Sequence, residues 1–400
     1  MRVRSFLILV AWQFALSAML LSAEPAPRHF EWQTASPETF SFSTARLDAF
    51  RAELAAHNTK AFLLVSHDKI VYEWYAPDHA ANKKFGAASM SKALIGGVAV
   101  AVALNDGLLS LDDFAAKFIP KWRGDALKSR ITIRQLGSHT SGLDDAEENG
   151  NPHAELTGWK GDFWKRLAPP NDPFTLARDV APMRFAPGAA RLYSNPGIAM
   201  LNYATTAALR NSPQKEIRSL FRERVMRPIG VRDDEWSVGY DQTITVDGLP
   251  LVASWGGGSF TARAAARIGR LMMREGDWEG ERVLKAEAVR AVTIDAGSPP
   301  NPAAKWLSKQ TGSAAIGWWR NIDGAVPTLP RDAFWGAGAG HQIALVIPSL
   351  GLIAVRNGQT LGPGDYDTAR NLLFFQPLMN ALGISISPPP DSGPIKRSGR

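Results

Sequence analysis

The spacing of apolar positions predicts a small set of elements. Leu47, Phe50 and Leu54 recur at helical intervals after Thr44, which predicts a helix capped by Thr44 and running to about His57. The runs 61–66 and 70–75 are apolar or alternating, and His67-Asp68-Lys69 joins them, so they predict a hairpin. An Ala-, Val- and Leu-rich stretch over 89–104 reads as a helix stopped by Asn105-Asp106-Gly107. Residues 107–255 change character: short helical patterns are interrupted by Pro and Gly, with tryptophans at 122, 159, 164, 236 and 255. After Gly256-Gly257-Gly258 an amphipathic helix spans 262–274, and strand-like runs return at 315–320, 342–347 and 352–356. The chain therefore leaves a sheet domain, builds a helical lobe and comes back to finish one antiparallel sheet. The implied division is a sheet lobe, 40–105 and 256–382, and a helical lobe, 106–255, with a cleft between them as the place for a site.

The ends differ from this body. Residues 1–23 combine basic Arg2 and Arg4 with an apolar run closed by Ser22 and Ala23, the pattern of an export signal, which predicts a periplasmic or secreted protein. Residues 24–39, rich in proline, read as a linker, and 383–400 as a disordered tail. No further membrane span is expected once the signal is removed. The formal charge is +7, but four of those charges come from the leader and tail, where Lys396, Arg397 and Arg400 outnumber Asp391. The body carries no basic run, so nucleic acid is not expected as a partner. The chain contains no cysteine, which excludes a disulfide framework and a thiol nucleophile. Its seven histidines form no His-x-x-x-His or His-Glu-x-x-His pattern, so no metal site is predicted. The acidic run Asp144-Asp145-Ala146-Glu147-Glu148 reads as a solvated flap near the cleft mouth. The oligomeric state is not legible.

The candidate chemistry centres on Ser89-Met90-Ser91-Lys92, which places a hydroxyl and an amine three residues apart on one helical face. A serine hydroxyl needs a base, and a lysine can serve if burial keeps its amine neutral. The helix N-terminus adds backbone N–H groups where an oxyanion could form. Such a pair is common by chance, and two further segments give it weight. Tyr193-Ser194-Asn195 offers a phenol for proton relay and an amide to orient the lysine or hold a substrate carbonyl. Gly338-Ala339-Gly340-His341-Gln342 opens a predicted strand whose glycines let backbone approach a substrate. Ser141 lacks a Gly-x-Ser-x-Gly elbow, which argues against an alpha/beta-hydrolase.

With these motifs, and with Leu109-Ser110-Leu111-Asp112-Asp113, Ser138-His139-Thr140-Ser141-Gly142-Leu143 and Gly256-Gly257-Gly258-Ser259-Phe260-Thr261, the sequence over 40–382 resembles the serine beta-lactamase and penicillin-binding-protein superfamily. The resemblance is to its class C-like branch, with family VIII-type esterases and 6-aminohexanoate-dimer hydrolases. It implies an α/β (α+β) fold, a five-stranded antiparallel sheet flanked by helices with an inserted all-helical lobe. It also implies Ser89 as acylated nucleophile, Lys92 as base, Tyr193 as proton relay and Asn195 as orienting amide. Gly340, His341 and Gln342 become the substrate-binding strand, with the N–H groups of Ser89 and Gln342 as oxyanion hole. No cofactor is implied, and His139 is read as structural.

One departure bears on substrate. Penicillin-recognising members carry a Lys-Thr-Gly segment on this strand to bind a carboxylate, where Ala339-Gly340-His341 offers neither lysine nor hydroxyl. A small ester or amide is therefore expected as substrate, with Trp159, Trp164, Trp255 and Trp335 as candidates for an apolar wall. A beta-lactamase or D,D-carboxypeptidase and a non-catalytic ligand-binding protein are the alternatives.

Overall fold

Thr59–Ser66 and Lys69–Tyr75 are dense in β-branched and aromatic residues and pair as a hairpin, here β2 and β3. His67 and Asp68 both take left-handed backbone angles, φ 46° and 65°, as a tight two-residue hairpin turn demands. The computed structural model describes residues 29–148, 151–294 and 313–386, so the expected leader and residues 387–400 of the expected tail lie outside the described residues.

Among the described residues the main sheet has eight strands, not the five anticipated. Besides the hairpin they are β1 (Gln33–Thr34), β4 (Ser313–Ala314), β5 (Trp319–Arg320), β6 (Phe334–Gly338), β7 (Gln342–Ile347) and β8 (Leu352–Gly358). Their order is β1-β3-β2-β8-β7-β6-β5-β4, antiparallel except for the β1–β3 pair at one edge. Three of the eight are two-residue strands, and the run 315–320 read as one strand is strand only at Trp319 and Arg320, because 315–318 form the turn that leads from β4 to β5. β1 falls within the stretch expected as linker, where Ala35 N–H also bonds to the Ile70 carbonyl. β6 carries two glycines and an alanine in five residues and has no alternation for a sequence reading to find.

Alternate residues of the long strands enter two apolar layers. Leu63, Val65, Val346, Ile353 and Val355 face a core shared with the helical lobe. Phe62, Leu64, Leu345 and Ala354 face the opposite layer with Leu47, Phe50 and Leu54 of α1 (Thr44–Ala56). The cap of α1 is Ser43, whose hydroxyl accepts the Arg46 N–H, rather than Thr44. The stretch 89–104 is not one regular helix. It opens as a 3₁₀ turn over Ala88–Met90, continues as a π-helix over Lys92–Gly97, and becomes α2 (Val98–Asn105). Over Ala88–Asn105 it is long and apolar enough to cross a membrane, yet 78% of it is buried inside the protein, as a core helix requires. At the centre of the helical lobe α3 (Asn195–Ala208) is buried from Asn195 to Thr206, and α4 (Ala262–Met273), capped by Thr261, lies on the sheet.

Candidate active site

Ser89 is presented by a strained turn. Ala88 has φ 45°, in the left-handed region that costs a residue with a Cβ. The turn is clamped by β6: a Cβ on Gly338 would collide with the Ala87 carbonyl oxygen and stand 3.0 Å from the Ser89 amide nitrogen. Only glycine lets the strand end lie against the nucleophile's backbone.

The π-helix after this turn carries Lys92 into the interior, where its Nζ donates to Ser89 Oγ at 2.9 Å and to the Trp255 carbonyl at 2.6 Å. Burial pushes the amine down to about 8, while the negative charges of Glu147 and Asp145 partly restore it. Tyr193 precedes α3, whose cap is Ser194, its hydroxyl accepting the Gly197 N–H at 2.9 Å; Pro196 adds its fixed φ to the first turn. This start fixes the phenol beside the serine. Lys92 Nζ lies 4.8 Å from the centre of its ring, and its hydroxyl is within interacting reach of Ser89. Burial drives the phenol well above its usual range, so it stays protonated. Ser89, Lys92 and Tyr193 thus meet, although about a hundred residues separate the first pair from the third.

His139 backs the tyrosine. Its ring lies 4.6 Å from that of Tyr193, its Nδ1 accepts the Ser194 N–H, and burial, reinforced by Lys92, lowers its pKa to about 3. It remains neutral and positions the phenol.

Asn195 is placed differently from the expectation that it addresses lysine or substrate. Its backbone N–H and its Nδ2 both donate to Asp145 Oδ1, at 2.9 and 3.0 Å, and Nδ2 also reaches Glu147 Oε1 at 3.3 Å. The acidic run is accordingly only in part a solvated flap: Asp145 and Ala146 are buried, Asp144 is half-buried, and Glu147 and Glu148 reach solvent. Burial, with Glu147 adding to it, raises Asp145 to about 7. Sequence reasoning missed this pair because five residues rich in carboxylates look like surface.

A cavity of about 210 Å³ opens over Ser89, walled by Glu147, Tyr193, Trp319, Ala337, Gly338, Ala339 and Tyr366, with Asp367 and Arg370. Gly340, His341 and Gln342 stand outside this lining. Gly340 and His341 form the turn after β6, with φ 77° and 53°. His341 is buried against Tyr366, rings 4.1 Å apart, and accepts the Leu361 N–H. The Gln342 side chain is spent on Gly358 and Asn357. The strand beside the nucleophile is therefore β6 itself, and its residues at the cavity are Ala337 and Gly338. Among the anticipated tryptophans, Trp255 and Trp335 are core, Trp159 and Trp164 pack against the core edge, and none lines the cavity. Trp319 does; it lies near the end of the run 315–320 read as a strand but was given no part in the site.

A serine paired with a buried lysine and a protonated tyrosine beside the end of β6 has the arrangement that acyl transfer calls for. Residues 48–375 match the beta-lactamase family model, and the chain belongs to the beta-lactamase family. It is 28% identical over 147 residues to D-alanyl-D-alanine-carboxypeptidase/endopeptidase AmpH of Escherichia coli K12, a match covering 35% of this chain and 33% of that protein. The chain thus spans about a third of the length of that relative. It is 25% identical over 303 residues to the 6-aminohexanoate-dimer hydrolase of Paenarthrobacter ureafaciens, covering 70% and 69% of the two chains. Among solved structures a family VIII carboxylesterase superposes with a TM-score of 0.63 at 17% identity, over 89% of this chain and all of the other.

Proposed function

We propose that the protein is a serine hydrolase that forms an acyl-enzyme at Ser89 from a small ester or linear amide. The observation that carries this reading is the 2.9 Å contact between Lys92 Nζ and Ser89 Oγ inside a cavity whose burial lowers the amine to about 8. In its neutral form Lys92 takes the hydroxyl proton while Oγ bonds to the acyl carbon. The proton passes through Tyr193 to the departing alcohol or amine, and water then releases the acid by the reverse path. The Ser89 N–H and the backbone at Gly338–Ala339 border the space for the developing oxyanion.

The ester or linear amide is favoured over a carboxylate-bearing lactam by the lining. β6 contributes Phe334, Trp335, Gly336, Ala337 and Gly338, none with a cation or hydroxyl, and Arg370 is held by Asp367 at 2.8 Å. The similarity to a carboxypeptidase supports a second reading, cleavage of beta-lactams or D-Ala-D-Ala peptides. Steady-state hydrolysis of p-nitrophenyl butyrate separates them. Turnover of many equivalents is expected, with Ser89→Ala lowering kcat/KM by at least about 10³-fold at an unchanged thermal midpoint. Undiminished turnover in that variant would falsify the assignment. Rapid nitrocefin cleavage with no ester turnover would favour the second reading, and a single-equivalent burst a binding protein. The basic and apolar pattern of 1–23 supports a periplasmic or secreted enzyme, which fractionation of cells expressing the full chain tests.

A further inference from the structure

Two carboxylates that the acyl-transfer steps do not use line the cavity over Ser89, Glu147 and Asp367. Glu147 shares the lining with Ser89 and Tyr193, its side chain 43% exposed. Of the other charged side chains in the lining, Asp367 and Arg370 are buried and paired with each other. Lys92 lies behind the wall and is neutral in the form that can accept the serine proton. Nearby Lys160 is engaged by Glu148 at 3.6 Å and Asp144 at 3.9 Å, and reaches only the backbone carbonyl of Glu147.

The Glu147 carboxylate is held in place without being neutralised. Asn195 Nδ2 donates to it at 3.3 Å, and Asn195 is fixed in turn by two hydrogen bonds to Asp145. Its remaining partner is His153 Nε2 at 3.6 Å, a ring stacked at 3.6 Å on Trp164 and charged only when protonated. Among the described residues, with Lys92 and His153 neutral, the cavity therefore presents one uncompensated negative charge, with the aromatic side chains of Trp319 and Tyr366 also in its lining. A carboxylate beside aromatic surface is a combination that attracts an organic ammonium group.

We propose that Glu147 is a specificity-determining residue that makes the cavity select substrates carrying an ammonium group a few bonds from the scissile carbonyl. This rests on the hydrolase reading and names its substrate class. The p-nitrophenyl esters of 4-(trimethylammonio)butanoate and 5,5-dimethylhexanoate have the same shape and differ by one positive charge. The wild-type protein is expected to favour the cationic ester by about tenfold in kcat/KM, and Glu147→Gln to bring that ratio near one. High salt should shrink the preference, as it does for any half-exposed charge pair.

A second measurement separates failure of this proposal from failure of the hydrolase reading. Choline and 3,3-dimethylbutanol, titrated by NMR against the Ser89→Ala protein, compare the same two shapes with no turnover. Choline is expected to bind about tenfold more tightly, and to lose that advantage in the Ser89→Ala, Glu147→Gln double variant. Equal binding of the two, or an advantage that survives loss of Glu147, overturns the cation site whether or not esters are hydrolysed. A preference for choline in a protein that turns over no ester overturns the hydrolase reading alone.

Discussion

Lys92 shows how one side chain's surroundings decide what it can do. An exposed lysine is almost wholly protonated at neutral pH, whereas burial lowers this one to about 8. Because only the neutral amine can accept the Ser89 proton, kcat/KM for an activated ester should rise with pH up to about 8 and then level off, as a pH–rate profile will show. The two carboxylates oppose the desolvation, since their charge favours the protonated amine. Asp145→Asn should therefore move that rising limb to lower pH; the displacement of the limb, rather than any drop in rate, marks an electrostatic role. At this scale the sequence was informative for Ser89, Lys92 and Tyr193, whose residue types and intervals imply their chemistry. It put Asp145 and Glu147 in a solvated flap and gave Trp319 no part in the site. A carboxylate becomes part of a site only through what folds over it, and burial of one residue in an acidic run leaves no periodic trace.

Among the elements, the sites of closest approach decide which segment serves the nucleophile. A sequence reading singled out 338–342, whose two glycines bring freedom and which opens a recognisable strand, and gave the substrate to Gly340, His341 and Gln342. The structure uses that freedom for the turn, and puts the end of β6 against Ser89. Gly338→Ala should therefore harm catalysis more than Gly340→Ala when the two are compared at equal folded fraction. The first pushes on the Ala87 carbonyl and the Ser89 amide, while the second strains a φ of 77° and meets Gln342 Nε2 at 2.9 Å, away from the cavity. Esterase kcat measured alongside thermal midpoints tests the order; equal losses would return the site to the turn. Long elements with clear patterns, such as 59–66, 262–273 and 342–347, were legible nearly to the residue. The break of 89–104 into 3₁₀, π and α segments was not, because Ala, Val and Leu suit each of these geometries.

Seen as a whole, the molecule depends on an arginine that joins the two ends of the sheet lobe. Arg356 on β8 is fully buried and donates to Thr59 Oγ1 and to the carbonyls of Gly340, His341, His57 and Gln359, at 2.7 to 3.2 Å. Its bonds tie the entry to β2 and the turn after β6 to one strand. Replacing it leaves several buried carbonyls without donors, so Arg356→Met should cost on the order of 3–5 kcal/mol, read as a lower midpoint in urea unfolding. The overall plan, a sheet interrupted by a helical lobe, followed from where strand patterns stop and resume. The pairing of β2 with β8 across some three hundred residues did not, since contact between distant apolar strands is a property of the assembled core.

That pairing also sets when the protein can act. The serine, lysine and tyrosine are all synthesised by residue 193, but the strand that holds the serine turn comes after 333 and is itself flanked by β5 and β7, with β8 joining β7 to β2. A polypeptide still emerging from the ribosome thus carries every reactive group and no workable geometry. If Ser89 acts as proposed, no acyl transfer can start until the last strands have been made and have closed the sheet around β6.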